Sequence, residues 1–408
     1  MMNPTLRFLA RIAALALVLV LLGGLFLRSR PNLDGLDRLL AAGQFQAAEQ
    51  QLTDYLDAYP GEESARILLA RASVDRPDAK PEFALAQLEG LEPAEQRRAA
   101  QVRAIRGQAY FHQRRFDRAE AAWLDALGLD PAIAEVGWGL LNVYSMQGRF
   151  DDSRKLALRL YPHEPDAHDR LQLLLQMIRH DAHAMALGPL VHQLEPVVQA
   201  HPDEIATSLA LGTVLVQVGR GAEGLDLLRK MVQEHPDRPE PWVHLAEVLV
   251  DSGQPDELAK LIAQAPASAR DLPRVLSARA WLAMQRQQWP EAADLGLAAF
   301  ARRSDDPTIA YRLKIALDRA GRKDDLARLG PRLQAAAEVK DKLCVLYDRL
   351  DAGPEVVQGG PPEALKHLGQ GPPSESYRQL AAILREVGRT EEADLWDRQA
   401  GAEAHRGP

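Results

Sequence analysis

At 408 residues the chain has room for two or three compact domains, yet its Ala-, Leu-, Glu- and Arg-rich composition, with only 5% aromatics, favours helix nearly everywhere. The net charge of -8 hides a split, because Arg7, Arg11, Arg28 and Arg30 stand in the first 30 residues without an acid and leave -12 on the remainder. A body that acidic argues against gripping nucleic acid through its phosphates, and the single cysteine, Cys344, excludes an internal disulfide and a cysteine-based metal site.

In chain order, the first element is the run from Phe8 to Leu27, apolar apart from Arg11. Twenty helical residues at about 1.5 Å each span roughly the hydrocarbon thickness of a bilayer. The run ends in Gly23-Gly24-Leu25-Phe26-Leu27-Arg28 without a small-x-small cleavage site or a lipid-accepting cysteine, so the expectation is an uncleaved signal anchor over residues 1–30. A cleaved signal and a buried helix are the competing readings. Arg7, Arg11 and the amino terminus precede the span while Arg28 and Arg30 follow it, a slight bias that puts the N-terminus in the cytoplasm and the body in the periplasm or outside the cell.

From residue 31 to 351 the chain reads as helical hairpins. Leu36, Leu39 and Leu40 share a helical face, Gly43-x-Phe45 makes a turn, and Ala48, Leu52, Tyr55 and Pro60 complete a first unit. The second is degenerate, with Arg76-Pro77-Asp78 opening its turn and Pro81 expected in the first turn of its second helix. The third and fourth are clean: Gly107-x2-Tyr110, Phe116-x2-Ala119-x3-Trp123-x2-Ala126-x4-Pro131, then Leu141-x2-Tyr144, Gly148-x-Phe150 and Pro165. A fifth, three residues longer, places helices at Leu171 to Ile178 and Leu190 to Val198. Leu211-Gly212-x2-Leu215, Trp242-x2-Leu245-Ala246-x2-Leu249, Trp281 with Trp289, and Tyr311 with Leu317 carry the later ones. Turns at Arg114 and Gly148, and at Gly219, Gly253, Gln287 and Gly321, step by 34 within each group, and 71 residues, or 34 plus 37, separate the groups. Small residues such as Gly107, Ala119, Gly212 and Ala246 let paired helices approach, and Trp123, Phe45 and Phe150 fill the space beside them.

This pattern resembles the tetratricopeptide repeat, a helix-turn-helix unit of about 34 residues. The resemblance implies an all-α, right-handed superhelical solenoid of about nine helix pairs that acts as an interaction scaffold. An irregular all-helical domain would satisfy the apolar periodicity but not the shared register. Residues 352–373 hold Gly359-Gly360-Pro361-Pro362 and Gly371-Pro372-Pro373, which read as a linker interrupted by a short helix from Glu363 to Leu368. Over 374–408 a last pair follows, Tyr377 to Val387 and Thr390 to Ala400 around Gly388, in the place of a capping unit with Arg378, Arg385, Glu386 and Arg398 outward.

Chemistry-bearing motifs are sparse. Gly219-x-Gly221-x2-Gly224 imitates a dinucleotide-binding fingerprint, but Gly219 lies on the turn register and Trp242 to Val250 reads as helix where a second strand is required. His180, His183, His192 and His201 lack ligand spacing and read as loop and rim residues. Without a nucleophile elbow, a phosphate-loop lysine or a His-Glu-x2-His pair, the sequence points to no enzyme and no cofactor. What remains is a surface. In the family resembled, the first helix of each pair lines the concave face, which places Gln108, Phe111, His112, Trp138, Asn142, Ser145, Gln172 and Gln176 along one peptide-binding groove. The alternative for Phe111 and Trp138 is packing between units only, and Asn142 stands without the lysines of a carboxylate clamp. The reading is a membrane-tethered scaffold for an unidentified protein or peptide partner, in envelope assembly or secretion, with no nucleic acid and no small-molecule substrate. The rivals are a solenoid enzyme or glycan-binding protein acting on envelope polymers, and a secreted adaptor.

Overall fold

The computed structural model describes residues 33–182, 187–351, 366–369 and 372–404. The expected anchor at 8–27 lies outside them, as do residues 363–365 of the expected short linker helix; residues 366–369 form a turn. All regular structure among the described residues is helical, and none of those helices is long and apolar enough to cross a membrane. The chain divides into two compact units, up to Asp130 and from Pro131.

The first unit holds α1 (Leu33–Ala41), α2 (Phe45–Ala58), α3 (Glu63–Val74), α4 (Pro81–Gln87), α5 (Gln96–His112) and α6 (Phe116–Leu129). They pair in sequence as hairpins, and the first helices also meet one another, α1 on α3 and α3 on α5. Pro81 opens α4 in its first turn, where its missing amide costs nothing. In the α5–α6 hairpin the Trp123 ring sits over Gly107 and donates from Nε1 to the Ala104 carbonyl at 3.2 Å. A Cβ on Gly107 would come within 2.3 Å of that ring, so the glycine admits the fully buried tryptophan.

The second unit begins with α7 (Ala134–Met146), α8 (Phe150–Leu160), a 3-10 turn at Tyr161–His163 and α9 (Ala167–Ala182). It continues with α10 (Leu187–Ala200), α11 (Ile205–Gln217), α12 (Gly221–Glu234), α13 (Pro239–Asp251), α14 (Pro255–Gln264), the short α15 (Ala267–Arg270), α16 (Pro273–Gln285) and α17 (Trp289–Arg302). The last helices are α18 (Pro307–Arg319), the long α19 (Lys323–Asp351), α20 (Pro373–Glu386) and α21 (Thr390–Ala404). From α11 to α18 first helices stack in series, α11 on α13, α13 on α16 and α16 on α18.

Eight of the turns between helices among the described residues use the same device. Arg114, Gly148, Gly219, Gly253, Gln287 and Gly321 all have φ between 58° and 89°, the left-handed region, and so do Gly43 and Gly388. The next residue's amide reaches back five positions, as in Arg149 to the Tyr144 carbonyl and Arg220 to Leu215, each at 2.8 Å. These bonds satisfy carbonyls that the helix end leaves open and reverse the chain. At Arg114 and Gln287 the register imposes this conformation on residues that carry a Cβ. Gly224 serves a different need, since a Cβ there would lie 2.4 Å from the Gly212 carbonyl oxygen, so α11 and α12 touch backbone to backbone. The glycine run is thereby accounted for by one turn and one close crossing.

The fifth pair departs from the pattern. α10 packs on α11, whereas α9 packs on α8 and on α19, more than 140 residues downstream, and touches α21. The second unit therefore folds back on itself, and its last pair reaches α9 as well as its sequence neighbour α19.

Candidate functional site: a polar hollow in the second unit

In the second unit the inward face is built mainly from the first helices α7, α9, α11, α13, α16 and α18, with Phe150 of α8, Leu190 of α10 and Tyr347 of α19 added. In the second unit this face encloses two adjoining hollows of about 580 and 610 Å3 that share Met146, His180 and Leu190. Such volumes suit a few residues of extended chain.

The first hollow gathers five of the sequence candidates, Trp138, Asn142, Ser145, Gln172 and Gln176, with Gln193, Arg179 and Tyr347. Gln176 Nε2 donates to Ser145 Oγ at 3.0 Å, and Ser145 Oγ donates to the Leu141 carbonyl at 2.7 Å. Asn142 and Gln172 make no side-chain hydrogen bond among the described residues. The other three candidates, Gln108, Phe111 and His112, stand on α5 in the first unit. There the Phe111 ring packs 5.6 Å from both Phe116 and Trp123, and His112 Nε2 bonds the Val74 carbonyl at 2.9 Å. Gln108 lies 3.2 Å from the same His112 nitrogen. Phe111 is thus spent on the α5–α6 hairpin.

His180 stacks on Phe150 with ring centroids 4.0 Å apart, and its Nε2 lies 3.2 Å from Ser145 Oγ. The Ser145 hydroxyl thus serves the Leu141 carbonyl, Gln176 and His180 at once, and the role of the imidazole nitrogen follows its tautomer. Burial, then the charges of Arg179 and Arg154, push its pKa down to about 4. The second hollow repeats the arrangement. Thr213 Oγ1 donates to the Leu209 carbonyl and meets His244 Nδ1 at 3.0 Å, and burial, with Arg274 adding to it, lowers His244 to about 4. Both imidazoles are neutral at physiological pH, and each hydroxyl beside them donates to a carbonyl of its own helix.

The second hollow also holds charge. Arg274 pairs with Glu247 at 3.1 Å, and burial still raises the Glu247 carboxyl above its ordinary range. Arg312 donates to Ser277 Oγ at 3.0 Å, and burial lowers its guanidinium. Asp306 caps α18, accepting from the Thr308 and Ile309 amides at 2.9 and 3.1 Å. Sequence reading passed over His244, Glu247, Arg274 and Arg312. One signal was available: His244 and Arg312 each stand nine residues before a register turn, Gly253 and Gly321. Among the described residues no His, Cys, Asp or Glu group is arranged to hold a metal ion.

Residues 215–282, from the end of α11 into α16, match the family model of the tetratricopeptide repeat. No curated protein matches the sequence. Among solved structures the chain is similar to the crystal structure of the APC/C hetero-tetramer Cut9-Hcn1, at 16% identity, 91% coverage of this chain, 80% of that one and a TM-score of 0.29. It is also similar to a tetratricopeptide repeat protein from Parabacteroides merdae, at 12% identity, with 67% and 98% covered and a TM-score of 0.31.

Proposed function

We propose that the chain is a tetratricopeptide repeat protein, of a fold that generally serves as a protein-interaction scaffold, and that its hollow seats an extended, largely uncharged stretch of a partner protein. The observation that carries this reading is the wall of the first hollow, where Trp138 and Tyr347 stand among Asn142, Gln172, Gln176 and Gln193. Rings desolvate an extended chain, and the amides of Asn142 and Gln172 bond its backbone. With His180 neutral, Arg179 is the one charge lining this hollow among the described residues, so a terminal carboxylate or a phosphate finds little to hold it.

The right-handed superhelical course and the anchor at residues 8–27 belong to the same proposal, with the N-terminus in the cytoplasm and the repeats beyond the membrane in an envelope-assembly or secretion role. The apolar run supports the anchor, and tethering would concentrate the repeats near membrane partners. The scaffold needs no chemistry of its own, and repeats of this kind are typically non-enzymatic.

Crosslinking with mass spectrometry in native membranes tests the reading, comparing the wild type with Trp138→Ala plus Asn142→Ala. The double change is expected to lose a protein partner while helicity and resistance to alkaline carbonate extraction persist. An unchanged set of crosslinked proteins would remove the hollow from consideration, and extraction into the supernatant would remove the anchor.

A further inference from the structure

Beside the apolar face between α9 and α19, the fold-back of the second unit is held by charge. Arg154 on α8 reaches Asp181 on α9 at 3.2 Å, Asp305 in the α17–α18 loop at 3.4 Å and Glu392 on α21 at 3.8 Å. Arg303 in that loop pairs with Asp151 on α8 and with Asp305. Arg389, 8% exposed, pairs with Asp181 at 2.5 Å and with Glu392 at 2.6 Å, and it donates to the Met177 carbonyl at 3.2 Å. Burial alone would lower the pKa of Arg389 and raise that of Asp151. Glu392 and Asp181 reverse the first, and Arg303 and Arg154 the second, so both groups are held charged.

Arg389 is a repeated part put to a new use. At Gly148-Arg149, Gly219-Arg220, Gly321-Arg322 and Gly388-Arg389 the arginine follows the turn glycine and pairs with an acid three residues on: Asp152, Glu223, Asp325 and Glu392. Arg220 and Arg322 spend their second arm on the preceding second helix, at Glu195 and Asp294, on exposed surface. Arg389 spends its own on Asp181 of α9, 208 residues away in sequence.

The joint that results is unlike those beside it. α20 and α21 share an apolar core, with Leu380, Leu384, Ala393 and Trp396 fully buried, and α9 and α19 pack through faces on which Leu174, Ile178, Leu343 and Leu346 are equally buried. Between the terminal pair and α8–α9 run the ion pairs of Arg154 and Arg389, joined just past α8 by Tyr161 Oη donating to Gln399 Oε1 at 3.5 Å. Buried ion pairs return little net stability once desolvation is counted, whereas apolar interfaces keep theirs. Asp181 also directly follows His180, whose ring lines both hollows. Latch and hollow therefore share one turn of α9.

We propose that α20–α21 is a clasp that swings as one body, closing the second unit at the Arg389–Asp181 seam, one residue from His180 of the hollow wall, and opening there. Entry of the partner stretch through that opening rests on the proposed function; the motion itself is a property of the chain alone.

Spin labels on the full chain, at Lys155→Cys on α8 and Arg398→Cys on α21 with Cys344→Ala as background, test the motion by pulsed dipolar spectroscopy with no partner present. The parent is expected to give one dominant distance. Asp181→Asn and Arg389→Gln should each add a population longer by about 10 Å, the width of a helix. Arg385→Gln, which removes pairs to Asp394 and Asp397 on the exposed side of the same clasp, should add none. Asp181→Asn guards against a trivial result, since it leaves the clasp's own turn intact. An unchanged distance in that variant, or equal lengthening by Arg385→Gln, would overturn the proposal. A longer population without any loss of crosslinked partner would leave the clasp standing and count against the proposed function.

Discussion

Two kinds of contact hold the second unit together, and they differ in chemistry. Where neighbours in sequence meet, as α11 on α12, the joint is apolar and close, with Leu228 fully buried against Gly212 and Gly224 set against the Gly212 carbonyl. Where α21 meets α9 and the α17–α18 loop meets α8, the joint is ionic, although α9 also meets the distant α19 through fully buried leucines and Ile178. The inward face belongs with the second kind, since its hydroxyls, imidazoles and charged pairs are turned toward a hollow. Apolar packing thus supplies most of the stability, and the ionic joints at α8, α9 and α21 fix which distant elements meet.

Breaking an apolar joint should have the largest effect. Leu228→Ala is expected to cost about 3–4 kcal/mol, read from urea unfolding, because the transfer loss is joined by a cavity between helices that cannot close further. A loss under about 1 kcal/mol would mean the joint is not packed as described. Gly224→Ala comes next, at about 2 kcal/mol, since its Cβ would meet the Gly212 carbonyl and α11 and α12 must part. Gly221→Ala in the same run meets nothing within 4 Å and serves as its control.

Acid acts on the polar side. His180 and His244 titrate near 4 when folded against an ordinary 6.5, so between those values the unfolded chain binds more protons. Their contribution is complete above pH 6.5 and is lost as pH falls toward 4, on the order of 2 kcal/mol in sum after allowing for water reaching the hollow. Urea midpoints measured across that window should fall, and His180→Gln with His244→Gln should flatten the slope. The smallest effect sharpens the turn assignment. Gln287→Gly should raise stability by about 0.5–1 kcal/mol, because glycine adopts the left-handed turn without the Cβ penalty. A loss of stability would show that Gln287 gains something from its side chain there.

The same division explains what the sequence could disclose. Arg114 and Gln287 are poor turn residues by type, yet spacing alone placed them on the turn register, and both adopt positive φ. The 37-residue step marked the fifth pair as irregular, although nothing local said that α9 would turn to α19. Trp138, Asn142, Ser145, Gln172 and Gln176 were within reach because a repeat fixes which helix faces inward. Phe111 shares that face and is nonetheless absorbed by Trp123, since an aromatic near a turn can serve either side. The recurrent Gly-Arg-x2-acid motif is visible in the chain, but the second partner of each arginine is not. In an acidic chain every guanidinium has many candidate carboxylates, and only the folded path selects Asp181 for Arg389.

The claim on which the rest depends is that Asp181 and Arg389 meet and hold the second unit closed. A double-mutant cycle in urea unfolding, with Asp181→Asn, Arg389→Gln and the pair together, measures this most directly. The predicted coupling is about 1 kcal/mol or more, the double variant losing less than the sum of the singles. Additivity within about 0.3 kcal/mol would contradict it and leave the terminal pair an ordinary end of a stack.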